Sequence, residues 1–216
     1  MNPLEIFAKS SLEVTPSLIE YEVGTEVEMI LYNYLKLVSE NYTNVFVISF
    51  FDAHIPFFEY IKRVVGDDGV IDKCNLLPVY SKKEIGTLDG AAPSIVALLG
   101  RSIQNRKGRS LVVILGLDYY TAIFGEEHLV QMYPRITNLK VYKEDLSTVS
   151  ILNTKILSDK TIQIINNFSF NVARLGIERK EETFERYLLL VKTIFVEYNL
   201  RKWHYRIENS ELVFYE

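Results

Sequence analysis

The eight residues Tyr21-Glu22-Val23-Gly24-Thr25-Glu26-Val27-Glu28 stand where an apolar run meets a long amphipathic segment. A phosphate-binding turn at such a junction reads G-x-x-x-x-G-K-[ST]. Its glycines let backbone amides close around phosphate oxygens, its lysine neutralises charge, and its hydroxyl holds Mg²⁺. In that register Tyr21 replaces the first glycine and Glu26 the second. Val27 takes the lysine position and Glu28 the magnesium-ligand position, so only Gly24 and Thr25 fit. Glu22, Glu26 and Glu28 would face a polyphosphate where a cation is needed. Like charges a few ångströms apart in a partly desolvated loop cost on the order of 1 kcal/mol or more each. The turn is expected to survive and the phosphate site is not, so neither ATP nor Mg²⁺ is expected as a cofactor. First-turn glutamates also stabilise a helix dipole, which is the plainer reason for them. The sharper reading is that they meet a basic partner or block nucleotide access.

Other chemistries find less. His54, His128 and His204 lie on different elements without metal-ligand spacing, and no G-x-S-x-G elbow is present. Asp67, Asp68 and Asp72 lack the glycine and glutamate pattern of a calcium loop. The single cysteine, Cys74, excludes an internal disulfide and a cysteine-based zinc cluster. No metal site and no catalytic residue is expected.

The net charge of −4 argues against a general nucleic-acid binder, although a basic run, RNRKGR, is spread between Arg101 and Arg109. The ordinary reading of that run is solvated surface charge. The absence of a long apolar stretch and of a leader-like N-terminus predicts a cytoplasmic protein without a membrane span. Abundant Ile, Tyr, Glu and Lys resemble thermophile usage.

The elements that would position these residues alternate. Strands are predicted at Pro16–Tyr21, Asn44–Phe51, Leu76–Tyr80, Ser110–Leu115 and Asn138–Tyr142, after a polar lead-in. NVFVISFF and SLVVIL are unbroken apolar runs, the pattern of strands covered on both faces. Helices are predicted at Thr25–Glu40, from Asp52 to about Val65, at Ala91–Asn105 and at Asp118–Met132. Turn chemistry falls at Gly66-Asp67-Asp68-Gly69, and a polar loop runs to Gly90. From about Thr161 the rhythm changes to strand-like runs, beginning with TIQII and ending in a hairpin at Glu208-Asn209-Ser210-Glu211. The expected fold is α/β: a three-layer sandwich around a mostly parallel sheet, forming one domain. Its core would span 1–160, with antiparallel strands added over 161–216.

The order of these elements, with their local sequences, resembles the RecA-like ATPases and most of all their KaiC-like branch. The resemblance covers nearly the whole chain. IEYEVGTEVEMILYNYL lies in register with the family's first strand, P-loop and helix. Ser49-Phe50-Phe51-Asp52 occupies the place of a Ser-Phe-Glu-Glu-like tetrad, and LVVILGLDYYTAIFG (111–125) that of the Walker B strand and its helix. RYLLLVKTIF (186–195) and RKWHYRIENSELVFY (201–215) resemble the family's late strands and closing hairpin. Carried over by position, the water-activating glutamate becomes Phe51, while Asp52 keeps a carboxylate that helix capping explains. The Walker B aspartate becomes Leu115, and Asp118, three residues on, is better read as a helix N-cap. Lys192 matches a lysine that reaches a neighbouring subunit's nucleotide in oligomeric relatives. The companion arginine is Ile194, and a lone strand lysine is more often a sheet-edge charge.

The resemblance thus implies an archaeal-type member with degenerate Walker motifs: a pseudo-ATPase acting as an interaction or regulatory module, its partner a protein such as an active RecA/KaiC-like ATPase. Two alternatives stand beside it: a recombinase-paralogue accessory factor with weak DNA binding, and a small-molecule enzyme or nucleotide binder using a reshaped cleft. Without nucleotide to brace a ring, a monomer or small oligomer is expected.

Overall fold

Residues 44–50 and 110–115 are interior strands, second and third from one edge of the nine-stranded sheet that the described residues form, and their side chains feed the hydrophobic cores on both of its faces. A computed structural model describes residues 1–66, 69–80 and 92–215, and the strands are numbered here in chain order. They are β1 (Ser17–Tyr21), β2 (Asn44–Phe50), β3 (Cys74–Val79), β4 (Ser110–Leu115), β5 (Leu146–Asn153), β6 (Asn171–Lys180), β7 (Thr183–Lys192), β8 (Lys202–Glu208) and β9 (Glu211–Tyr215). Their spatial order is β3-β2-β4-β5-β1-β6-β7-β8-β9. The block from β3 to β6 is parallel, and β6 to β9 pair antiparallel. The expected α/β sandwich with antiparallel strands at its C-terminal end is therefore present.

Among the described residues seven α-helices cover the two faces: α1 (Pro3–Glu13), α2 (Val27–Val38), α3 (His54–Val64), α4 (Ala92–Gln104), α5 (Leu117–Phe124), α6 (Glu126–Thr137) and α7 (Asp159–Phe168). One core lies under α1 and α2, gathering Phe7, Ile30, Tyr34, Val47, Val113 and Ile151. The other lies under α4 to α7, gathering Phe46, Ile48, Ile114, Tyr120, Tyr133 and Ile165. Alternate strand residues feed opposite cores because successive strand side chains point to opposite faces. Among the described residues no helix is long and apolar enough to cross a membrane.

Several expectations are corrected. The lead-in is α1, started by Pro3 and a reciprocal Asn2–Glu5 capping box. The segment 138–142 is a short 3-10 turn at Leu139–Val141, and the strand lies later, at Leu146–Asn153. Residues TIQII belong to α7, where Thr161 and Ile165 are buried one turn apart. The helix expected at 118–132 is two helices, broken at Gly125. The hairpin at Asn209-Ser210 forms, with both residues at positive φ as a tight two-residue turn requires. Asp67, Asp68 and the polar loop over 81–90 lie outside the described residues.

Candidate functional site

β1 ends at Tyr21, and the chain turns through Gly24 into α2. Gly24 has φ +92°, and a Cβ there would stand 3.0 Å from Ile177 Cδ1, so both backbone shape and space select glycine. The turn is held by the chain itself. The Thr25 hydroxyl donates to the Glu22 carbonyl at 2.7 Å. Arg186 Nε donates to the Gly24 carbonyl at 2.7 Å, and the Tyr205 hydroxyl donates to the Thr25 carbonyl.

The carboxylates are committed in the same way. Glu22 accepts the Ile177 amide at 2.5 Å and pairs with Lys155 at 3.0 Å. Glu26, itself at φ 52°, accepts from Tyr60 and pairs with Arg186 Nη2 at 3.1 Å. Glu28 is half-buried, and burial, together with the charge of Glu26, raises its pKa. The expected picture of three glutamates facing a common phosphate position is corrected, because Glu22 and Glu26 turn toward β6, β7 and α3. Their basic counterparts are the chain's own Arg186 and Lys155. Val27, at the lysine position, is buried in the α1–α2 core.

The ends of β2 and β4 adjoin this turn. Phe51 and Asp52 both have positive φ, and Phe51 stacks on Tyr80 with ring centroids 5.2 Å apart. Asp52 does not cap α3. Ala53 holds the cap position, and the Ser49 hydroxyl instead accepts the His54 amide at 3.0 Å and bonds its ring Nδ1 at 2.8 Å. Burial lowers the His54 pKa. Leu115 is wholly buried at the end of β4. Asp118 is not the N-cap of α5, since Gly116 is; its carboxylate sits in the first turn and accepts the Tyr21 hydroxyl at 3.1 Å. Burial raises the Asp118 pKa. The remaining void between Tyr21, Pro56, Leu115 and Asp118 measures about 20 Å³. That is room for about one water, whereas small-molecule sites measure about 300–1,000 Å³.

Lys192 departs from the expectation of a sheet-edge charge. It lies on β7, an interior strand, so it is not a sheet-edge charge. Its register partner is Val172, level with Leu18 near the start of β1, while the turn follows the end of that strand. Its ammonium donates to the Ser169 carbonyl at 2.8 Å. The strand residue that does reach the turn is Arg186, opposite Ile177. Arg186, Lys155, Tyr60 and Tyr205 were not singled out by the sequence. Only the alternation along β7 carried a signal for Arg186.

A wider groove of about 500 Å³ opens beside this turn, lined by Glu22, Lys155, Asp159, Gln163, Arg174 and Tyr187. Arg174 is anchored there by fully buried Glu20, Nε to carboxylate, at 2.5 Å. Among the described residues no group of His, Cys, Asp and Glu could hold a metal ion.

No family model and no curated protein matches this chain. In structure it is similar to the KaiC-like protein PH0186 from the hyperthermophilic archaeon Pyrococcus horikoshii OT3, with TM-score 0.65 and 14% identity. The match covers 93% of this chain and 89% of that one. The fold is therefore RecA/KaiC-like.

Proposed function

We propose that this chain is a non-catalytic RecA/KaiC-like module that works through protein contacts, as a scaffold or regulator beside a partner such as an active ATPase of the same fold. The observation that carries this reading is the closed state of the turn at Gly24. Three of its carbonyls accept from the chain's own Thr25, Arg186 and Tyr205, and two of its carboxylates are already paired. A triphosphate would have to displace Arg186 and Lys155 from Glu22 and Glu26, leaving buried or half-buried carboxylates unpaired. The neighbouring void of about 20 Å³ offers no room for a base or sugar. An archaeal, thermophilic source fits the composition and belongs to the same proposal. The test is release of phosphate from Mg²⁺-ATP by the purified chain, where a rate above the protein-free control that is lost with Gly24→Val would refute the reading.

A second reading, a small-molecule site displaced from the old cleft, is favoured by the groove at Arg174. Ligand-induced stabilisation that disappears in Arg174→Met would support it.

A further inference from the structure

Two cations face the groove beside the turn, and the chain leaves both with donors to offer. Arg174 on β6 and Glu20 on β1 are register neighbours, and the Arg174 Nε donates to the wholly buried Glu20 at 2.5 Å. Among the described residues neither Nη group of Arg174 makes a hydrogen bond, and its side chain is 38% exposed. A planar guanidinium held through Nε by a buried acid has its orientation set, with its outer donors directed away from that acid. Lys155, on the turn after β5, pairs with Glu22 at 3.0 Å, and its side chain is 70% exposed. The bond to Glu22 raises the Lys155 pKa while the Arg174 charge opposes it. The two cations therefore lie within electrostatic reach of one another.

The other walls are largely polar. Gln163 and Asn166 stand three residues apart on α7 and line the groove together. Asn166 Oδ1 is buried without a partner. Side-chain amides both donate and accept, which suits hydroxyl groups. Tyr187 stands opposite Gly176, where a Cβ would overlap its ring, so glycine lets that ring lie against β6 beside Arg174. The acids are committed or peripheral. Glu22 holds the Ile177 amide with one oxygen and Lys155 with the other. Asp159 is exposed in the first turn of α7, where the helix dipole favours its charge.

We propose that this groove binds a small hydroxylated acid, its carboxylate or phosphate on the Arg174 Nη groups and Lys155, its hydroxyls on Gln163 and Asn166. A guanidinium edge takes either anion through two parallel hydrogen bonds, and an anion set between neighbouring cations relieves their repulsion. The volume of about 500 Å³ suits such a molecule. A polyphosphate fits poorly, because Glu22 and Asp159 border the same cations. An apolar ligand fits poorly too, since polar side chains make most of the wall. The inference names the ligand class for the second reading above and rests on it.

The experiment is a titration of the full chain at fixed ionic strength, followed by nuclear magnetic resonance of the Arg174 Nε–H and the Gln163 side-chain amide. The probes are sodium gluconate, glycerol phosphate and neutral glucose. At least one acid should shift both resonances saturably at millimolar concentration, and glucose should shift neither. Which acid binds separates a carboxylate source from a phosphate one. Lys155→Met removes an exposed cation and should weaken the acid about tenfold, as loss of one charge-assisted hydrogen bond predicts. Glu20→Leu with Arg174→Leu removes the guanidinium without stranding its buried partner and should abolish the shift at Gln163. Circular dichroism checks that both variants remain folded. Glucose binding as tightly as the acids, or acid binding unchanged in either variant, would overturn the proposal and leave a small-molecule groove standing. Saturable binding of no probe would overturn both.

Discussion

Arg186, on the antiparallel side of the sheet, donates from Nε to the Gly24 carbonyl at 2.7 Å and from Nη2 to Glu26 at 3.1 Å. A guanidinium suits this dual contact because its donors are fixed in one plane, whereas an ammonium is a point charge. The turn after β1 is thereby fastened to β7 instead of standing open for an anion.

Arg186→Met should loosen that fastening. The pair is partly exposed, so its ionic component is screened, and the loss should be about 1–2 kcal/mol, mostly the hydrogen bond to a backbone carbonyl. Urea denaturation measures it. Arg186→Lys should recover less than half, and an unchanged midpoint in Arg186→Met would show that the clamp contributes nothing.

Restoring the lysine of a phosphate loop should not restore a site. Val27 is 3% exposed within the α1–α2 core. Val27→Lys therefore buries an ammonium among apolar groups, costing about 3 kcal/mol or more unless it loses its proton. Thermal unfolding should show the loss, with no rescue by ATP. A stable variant that ATP stabilises further would contradict this.

Asp118 gives a pH signature. Burial raises its pKa, so the folded chain holds this proton more tightly than the unfolded chain does. Ionised Asp118 therefore costs stability at pH 7, and the cost fades as pH falls through the raised folded value toward the usual carboxylate range. Asp118→Asn, which can still accept from Tyr21, should be more stable than wild type at pH 7 and lose that advantage on acidification. Denaturation curves between pH 7 and 4 check this, and a pH-independent difference would count against it.

Glu20 and Arg174 should behave as a unit. Glu20 is fully buried, while the Arg174 side chain is 38% exposed. Arg174→Met strands a buried carboxylate and should cost about 2–3 kcal/mol, below the range for fully buried pairs because solvent reaches the arginine. Glu20→Leu with Arg174→Leu should lie nearer wild type than the sum of the single changes. Additive single effects in the double-mutant cycle would contradict the coupling.

Strands with one physical signature were legible in the sequence. β2 and β4 are unbroken β-branched and apolar runs, and only a strand covered on both faces explains them. β5 was not legible, because Ser147, Thr148 and Ser150 look like loop residues. They are buried, and Ser150 donates to the Tyr133 hydroxyl at 3.2 Å within a polar contact that also includes Ser169. α7 was read as strand from its threonine and isoleucines, while the spacing of Thr161 and Ile165 belongs to a helix. The turn at Gly24 and its unsuitable residue types could be read locally. The partners of Glu22 and Glu26 could not, since Lys155 and Arg186 lie more than a hundred residues away in sequence and meet them only through strand pairing.

The central claim is that the turn at Gly24 does not receive a triphosphate, and isothermal titration of the full chain with ATP tests it most directly, with and without Mg²⁺. The expected result is heat indistinguishable from dilution up to about 1 mM nucleotide, corresponding to binding weaker than about −4 kcal/mol. Saturable binding at micromolar concentration, weakened by Gly24→Val, would contradict it.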